Sequence, residues 1–187
     1  MTRTPKTSIT HPLPLPAVTT PGGGAIAITM CPGKRQPEAV TGPWDRDLEA
    51  DLEAIAAFGA DVLISLMEAD ELIAAATPTS LLEAEARKRG WTWYHWPIVD
   101  LTAPGPAFEA EWEKDVAAIC QKLRAGGRVV VHCRGGRGRS GLVAARLLVE
   151  LGIGNEAAIK AVRAAQPLAI ETPPQEAHVR DYRPKKG

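Results

Sequence analysis

The chain has 187 residues, 45% of them hydrophobic and 24% charged, which is the size and make-up of one globular domain able to bury a core. Lys+Arg and Asp+Glu both number 22, so no bulk attraction to nucleic acid or to an anionic membrane follows from charge. No apolar run approaches the ~18 residues of a membrane span, and the N-terminus lacks the apolar stretch of a secretion signal.

Residues 1–23 are rich in proline and glycine and are expected to form a flexible, partly extended arm. One domain is expected over 24–182, followed by a basic tail at 183–187. Within the domain, "AIAITM" (25–30) is a strand closed by the loop "CPGKRQP". Residues 45–58 place Leu48, Leu52, Ile55 and Phe58 at the spacing of an amphipathic helix. "DVLISL" (61–66) reads as a buried strand, and "TPTSLLEAEARKRG" as a helix with Thr/Ser start signals and Gly90 as its stop. "WTWYHW" (91–96) is a third strand, leading into the proline-rich "PIVDLTAPGP". A long helix over 107–125 is stopped by "AGG", and the β-branched run "RVVVH" (128–132) is the fourth strand. Helices are expected at about 140–151, 155–165 and 173–182. Strands alternating with helices predict an α/β fold, a single three-layer domain with a largely parallel central sheet.

The stretch "VVVHCRGGRGRSG" (129–141) carries the chemistry. Gly136, Gly138 and Gly141 spell G-x-G-x-x-G, with Glu156 about where a dinucleotide fingerprint expects an acid. That acid opens a helix, however, and the remaining residues read as helical, so half of the required βαβ unit is missing. The nucleotide P-loop also fails, because Arg139 stands where its lysine should precede Ser140. An inert core cysteine explains little. Cys133 lies between a strand end and a helix start, where ligands bind in open α/β sheets. The helix dipole and Arg134, Arg137 and Arg139 favour a thiolate over a thiol. Glycines at 135, 136 and 138 let backbone N–H groups turn inward around an anion, and Arg139 offers a planar fork to two oxygens.

His132 followed by C-x5-R-S resembles the signature loop of the cysteine-dependent protein tyrosine phosphatase superfamily. The order "CPGKRQP…WDRDLEADLEAIAAFGADVLISLMEADEL…WPIVDLTAP…VVVHCRGGRGRSG…AIETPPQEAHV" resembles the dual-specificity branch, most of all the kinase-associated (cyclin-dependent kinase inhibitor 3-type) phosphatases, over roughly 25–182. The resemblance implies a protein tyrosine phosphatase-like fold and phosphomonoester hydrolysis through a phosphocysteine, with no metal or other cofactor. It implies Cys133 as nucleophile, Arg139 as phosphate clamp and Asp100 as general acid, with the loop of Arg134, Gly135, Gly136, Arg137 and Gly138 holding the phosphate. Asp100 has a geometric argument of its own. It follows a strand of the same sheet, so its loop emerges on the edge that carries Cys133 if those strands are parallel. A turn aspartate is the bland alternative.

Ser140 matches the family hydroxyl that helps release the phosphocysteine sulfur and is also a helix N-cap by type. His132 reads as supporting the loop. Gln175 matches a glutamine often found near the family's site, although a surface helix position is the plainer expectation. Trp91, Trp93 and Trp96 read as core and interface residues. Cys31, Cys120 and Cys133 are odd in number and far apart, which fits reduced thiols in the cytoplasm; Cys31 or Cys120 as a redox partner of Cys133 stays open. The implied partners are phosphorylated proteins, on phosphotyrosine and/or phosphoserine/threonine, with phosphoinositides or inositol phosphates as the alternative substrate. Arg134 and Arg137 either face the pocket, as the lysines of phosphoinositide-directed members do, or point away toward solvent or acids. A rhodanese-like sulfurtransferase also places a cysteine in an anion-binding loop, but the C-x5-R spacing and the upstream acid disfavour it. A pure phospho-binding module is disfavoured because nucleophile, arginine and acid are all present.

Overall fold

The structure, a computed structural model, describes residues 4–184. Residues 1–3 of the expected arm and 185–187 of the basic tail lie outside the described residues. The central sheet comprises β1 (Ala17–Thr19), β2 (Ala25–Met30), β5 (Val62–Ser65), β6 (Thr92–His95) and β7 (Arg128–Cys133). Their order across the sheet is β1-β2-β7-β5-β6. Strands β2, β5, β6 and β7 are mutually parallel, and β1 adds an antiparallel edge. A small hairpin of β3 (Arg35–Gln36) and β4 (Trp44–Asp45) stands apart.

Alternation along the strands divides the core into two layers. Ile28, Val131 and Ile64 lie side by side in register and face one cluster, which includes Trp96, Phe108, Trp112 and Leu147. That cluster draws on α4 (Pro106–Arg124), α5 (Gly138–Glu150), α6 (Asn155–Ala165) and α7 (Pro173–Asp181). Ala27, Val130 and Leu63 are neighbours on the opposite face, packed with Leu52 and Ile55 of α1 (Leu48–Phe58). Helices α2 (Ala69–Ala74) and α3 (Thr79–Lys88) add Leu72 and Leu82 to a smaller cluster with Met67 and Cys31.

Local signals set the helix ends. Asp47 caps α1 by accepting from the Ala50 N–H at 2.8 Å, and Gly59 in the left-handed region ends it. The α2 helix was not foreseen, because six residues are too few to show a hydrophobic period. The described part of the expected arm is laid against the domain. β1 pairs with β2, Leu13 is buried, and the Ile28 N–H donates to the Pro16 carbonyl at 2.9 Å. No helix among the described residues is long and apolar enough to cross a membrane.

Candidate active site

The buried strand β7 delivers His132 and Cys133 to the C-terminal edge of the sheet, with Met30 of β2 as register partner of Cys133. The chain must then turn back across the end of β2. Gly136 does this at φ +68°, and a Cβ there would lie 2.5 Å from the Met30 nitrogen, so the turn requires glycine. Gly138 is equally confined, since its Cβ would meet Gln175 Oε1 at 2.7 Å. Among the described residues, the N–H groups of Arg134, Gly135, Gly136 and Arg137 donate to no carbonyl or side chain. The first turn of α5 follows directly. Undonated amides and a helix N-terminus together make an anion-binding nest.

Cys133 is buried, with its Sγ 3.3 Å from Ser140 Oγ. The N-cap role expected for Ser140 is corrected here. The helix starts two residues earlier, at Gly138, with Arg137 in the cap position and no side-chain cap bond. The Ser140 hydroxyl therefore lies against the sulfur and does not cap the helix.

Arg139 is fully buried, and an acid not recognised in the sequence holds it. Glu71 of α2 accepts from Arg139 Nη1 at 2.6 Å and Nη2 at 3.1 Å. Nη1 also donates to the Ile98 carbonyl at 3.0 Å. The Nε of Arg139 is buried and has no partner among the described residues. Burial alone would raise the Glu71 pKa; hydrogen bonds from Arg139 and the Glu68 amide, with the charge of Arg134, hold it below the usual carboxylate range. In "EADELIAA" the local pattern marks only a capping box between Glu68 and Glu71; the arginine partners of Glu71 lie more than sixty residues away in the chain.

Asp100 does lie on the Cys133 edge, as the parallel strands require. Its Oδ1 is 2.9 Å from Arg139 Nη2 and its Oδ2 is 3.8 Å from Arg134 Nη1. Arg134 is half-exposed and donates to Glu71 Oε1 at 2.6 Å, so its charge is matched by acids. Arg137 makes no ion pair among the described residues and lines the cleft. The cleft encloses about 220 Å³ around Cys133, Arg139, Asp100, Arg137, Lys34 and Trp44.

His132 is fully buried behind the loop. Its Nε2 lies 2.6 Å from Ser65 Oγ, which also accepts from Trp93 Nε1 at 2.9 Å. The indole only donates, so the Ser65 oxygen accepts from Trp93 and its hydroxyl links that strand, β6, to the imidazole. Burial, then the charges of His95 and Arg139, push the His132 pKa down to about 3, so the ring is neutral.

The surface position expected for Gln175 is also corrected. It is fully buried. Its Oε1 accepts from the Glu171 and Thr172 amides at 3.0 and 3.3 Å, and its Nε2 donates to the Thr102 carbonyl at 3.2 Å. It thereby joins α7, the Asp100 loop and Gly138, a convergence that helical periodicity does not encode. Trp96 lies in the core, while Trp91 and Trp93 are partly buried on the opposite sheet face. Burial pushes the Cys31 thiol up to about 12 and the Cys120 thiol up to about 11, so both are protonated at neutral pH.

The arrangement is that of a cysteine-based phosphatase. A family model described as "Polymorphic toxin system, DSP-PTPase phosphatase" matches residues 40–153, and the chain belongs to that family. Among solved structures, kinase-associated phosphatase with its catalytic cysteine replaced by serine is 25% identical, with a TM-score of 0.74 over 90% of this chain and 92% of that one. Tk-PTP in its active form is 31% identical, with a TM-score of 0.62 over 88% and 92% of the two chains. A protein tyrosine phosphatase from Leishmania major shares the fold at 20% identity and a TM-score of 0.66, over 92% and 99%. No curated protein matches the sequence. Family membership removes the sulfurtransferase and binding-module readings.

Proposed function

We propose that the chain hydrolyses phosphomonoesters through a phosphocysteine on Cys133. The observation that carries this reading is the cleft that brings Cys133 and Arg139 together beside the undonated loop amides of residues 134–137. A phosphate dianion supplies the acceptors these donors need. Sγ attacks phosphorus in line, and the loop amides with Arg139 hold the equatorial oxygens as their charge redistributes. When a substrate oxygen takes over Arg139 Nη2, the Asp100 carboxyl is released from that contact. It then protonates the leaving oxygen and afterwards accepts a proton from the water that attacks the phosphocysteine. Ser140, at 3.3 Å, donates to the departing sulfur.

The substrate is a phosphorylated protein or small molecule. Phosphotyrosine and phosphoserine/threonine in proteins are one class; a substrate with more than one phosphate is favoured by unmatched cations in the cleft, taken up below. A reducing compartment such as the cytoplasm suits a nucleophile that must remain a thiol. The test is to denature the enzyme during turnover and locate the phosphate by mass spectrometry. It is expected on Cys133, and turnover with no phosphorylated cysteine overturns the reading.

A further inference from the structure

The cations of the cleft are not equivalent. Arg139 is gripped by Glu71 and Asp100, and Arg134 by the same two acids. Lys34 and Arg137 also line the cleft, yet neither has a carboxylate within ion-pair distance among the described residues. Asp100 and Glu171, the acids that line the cleft, are both too far away to pair with them.

Lys34 is the more telling of the two. It is only 6% exposed. Its ammonium donates to the Arg134 carbonyl at 3.4 Å and lies 5.5 Å from the centre of the Trp44 ring. One long hydrogen bond and a ring face are poor replacements for the water that a buried ammonium has lost. The position is built in. The Gly33 amide donates to Asp51 Oδ2 at 2.8 Å, and Asp51 is held by the buried Arg46, whose own amide donates to the Lys34 carbonyl at 3.1 Å. Leu48 leaves no space for a side chain at position 33, which also has φ +69°. A scaffold of this kind fixes the cation in advance, so little ordering entropy is lost when an anion arrives.

We propose that Lys34 and Arg137 form a second anion subsite beside the Cys133 loop. The preferred substrate is then a compact phosphomonoester that carries a second phosphate close to the scissile one. The inference rests on the phosphatase reading and names the substrate class for that site. Burial holds the Lys34 ammonium below its ordinary pKa. The thiols of Cys31 and Cys133 oppose that shift, while Arg134 and Arg137 add to it. A bound anion reverses the imbalance. The same chemistry is offered by a free cyclitol bisphosphate and by a lipid headgroup.

The experiment compares kcat/KM for wild type, Lys34→Gln and Arg137→Gln. The substrates are an inositol monophosphate, a vicinal inositol bisphosphate, and the bisphosphate headgroup as a lipid in phosphatidylcholine vesicles, with p-nitrophenyl phosphate as reference. Wild type is expected to prefer the bisphosphate, and each variant to lower the bisphosphate-to-monophosphate ratio about 10-fold or more, the effect of one charge-assisted contact. The ratio cancels any change in nucleophile strength shared by both substrates. Preference for vesicles over the soluble bisphosphate identifies the headgroup as the source; the reverse identifies the free cyclitol. A ratio unchanged in both variants overturns the subsite. A doubly phosphorylated peptide, assayed alongside, that outruns both cyclitol forms overturns the compact substrate class. If wild type releases no phosphate from any substrate, p-nitrophenyl phosphate included, the phosphatase reading fails instead.

Discussion

Both carboxylate oxygens of Glu71 bind the guanidinium of Arg139, at 2.6 and 3.1 Å, across an interval of 68 residues. The bidentate grip fixes the plane of the fork, whose buried Nε–H has no partner among the described residues. Glu71→Gln should therefore lower kcat by about 10- to 100-fold, the loss of one charge-assisted hydrogen bond at the transition state. Inhibition by vanadate should weaken in parallel, and Glu71→Asp should recover part of both. A loss of kcat with vanadate affinity intact would mean that Glu71 only stabilises the fold.

Cys133→Ser should abolish release of phosphate from a small aryl phosphate, because a neutral hydroxyl is a poor nucleophile there. Substrate binding, measured by calorimetry on the inactive variant, should persist. Wild-type activity is expected to survive EDTA. Substantial turnover by the serine variant would remove Cys133 from its role.

For Asp100→Asn, kcat should fall about 10²- to 10⁴-fold with a poor leaving group. The loss should shrink as the leaving group becomes more acidic, which a series of substituted aryl phosphates reads directly. A uniform loss across the series would assign the proton to another group.

Arg134→Ala tests how the basic residues divide their work. Arg134 is committed to Glu71 and Asp100, so its loss loosens the acid loop for every substrate alike. Activity on mono- and bisphosphorylated substrates should fall by a common factor and leave their ratio unchanged. A ratio that drops as far as in Lys34→Gln would place Arg134 in the second subsite.

The neutral, buried His132 makes stability depend on pH. Its pKa is about 3 in the folded protein, against the ordinary histidine value of 6.5, so the unfolded chain binds the extra proton between those two values. The contribution is fully present above about pH 6.5 and falls by about 1.4 kcal/mol per pH unit as pH drops toward 3. Urea unfolding at several pH values should show a shallower slope for His132→Gln than for wild type. Equal slopes would mean that the ring is not buried neutral.

The sequence by itself determined the α/β alternation, the four parallel strands and the C-x5-R-S loop. Each of these is written in short-range pattern: β-branched runs, helical periodicity, and glycines where the backbone must turn around an anion. Cys133, Arg139 and Asp100 were legible for that reason, since a strand end and its loop fix where the side chains emerge. Tertiary structure alone decided the rest. Glu71 sits on a helix too short to show a period, and what matters about it is a contact 68 residues away. Gln175 has no sequence signal of burial; three separate segments converge on it. Three arginines in six residues look alike as a string, yet Glu71 of α2 and Asp100 of its loop neutralise Arg134 and Arg139 and leave Arg137 to the cleft that Lys34 also lines. Charge type is local, but charge balance depends on what the fold brings alongside.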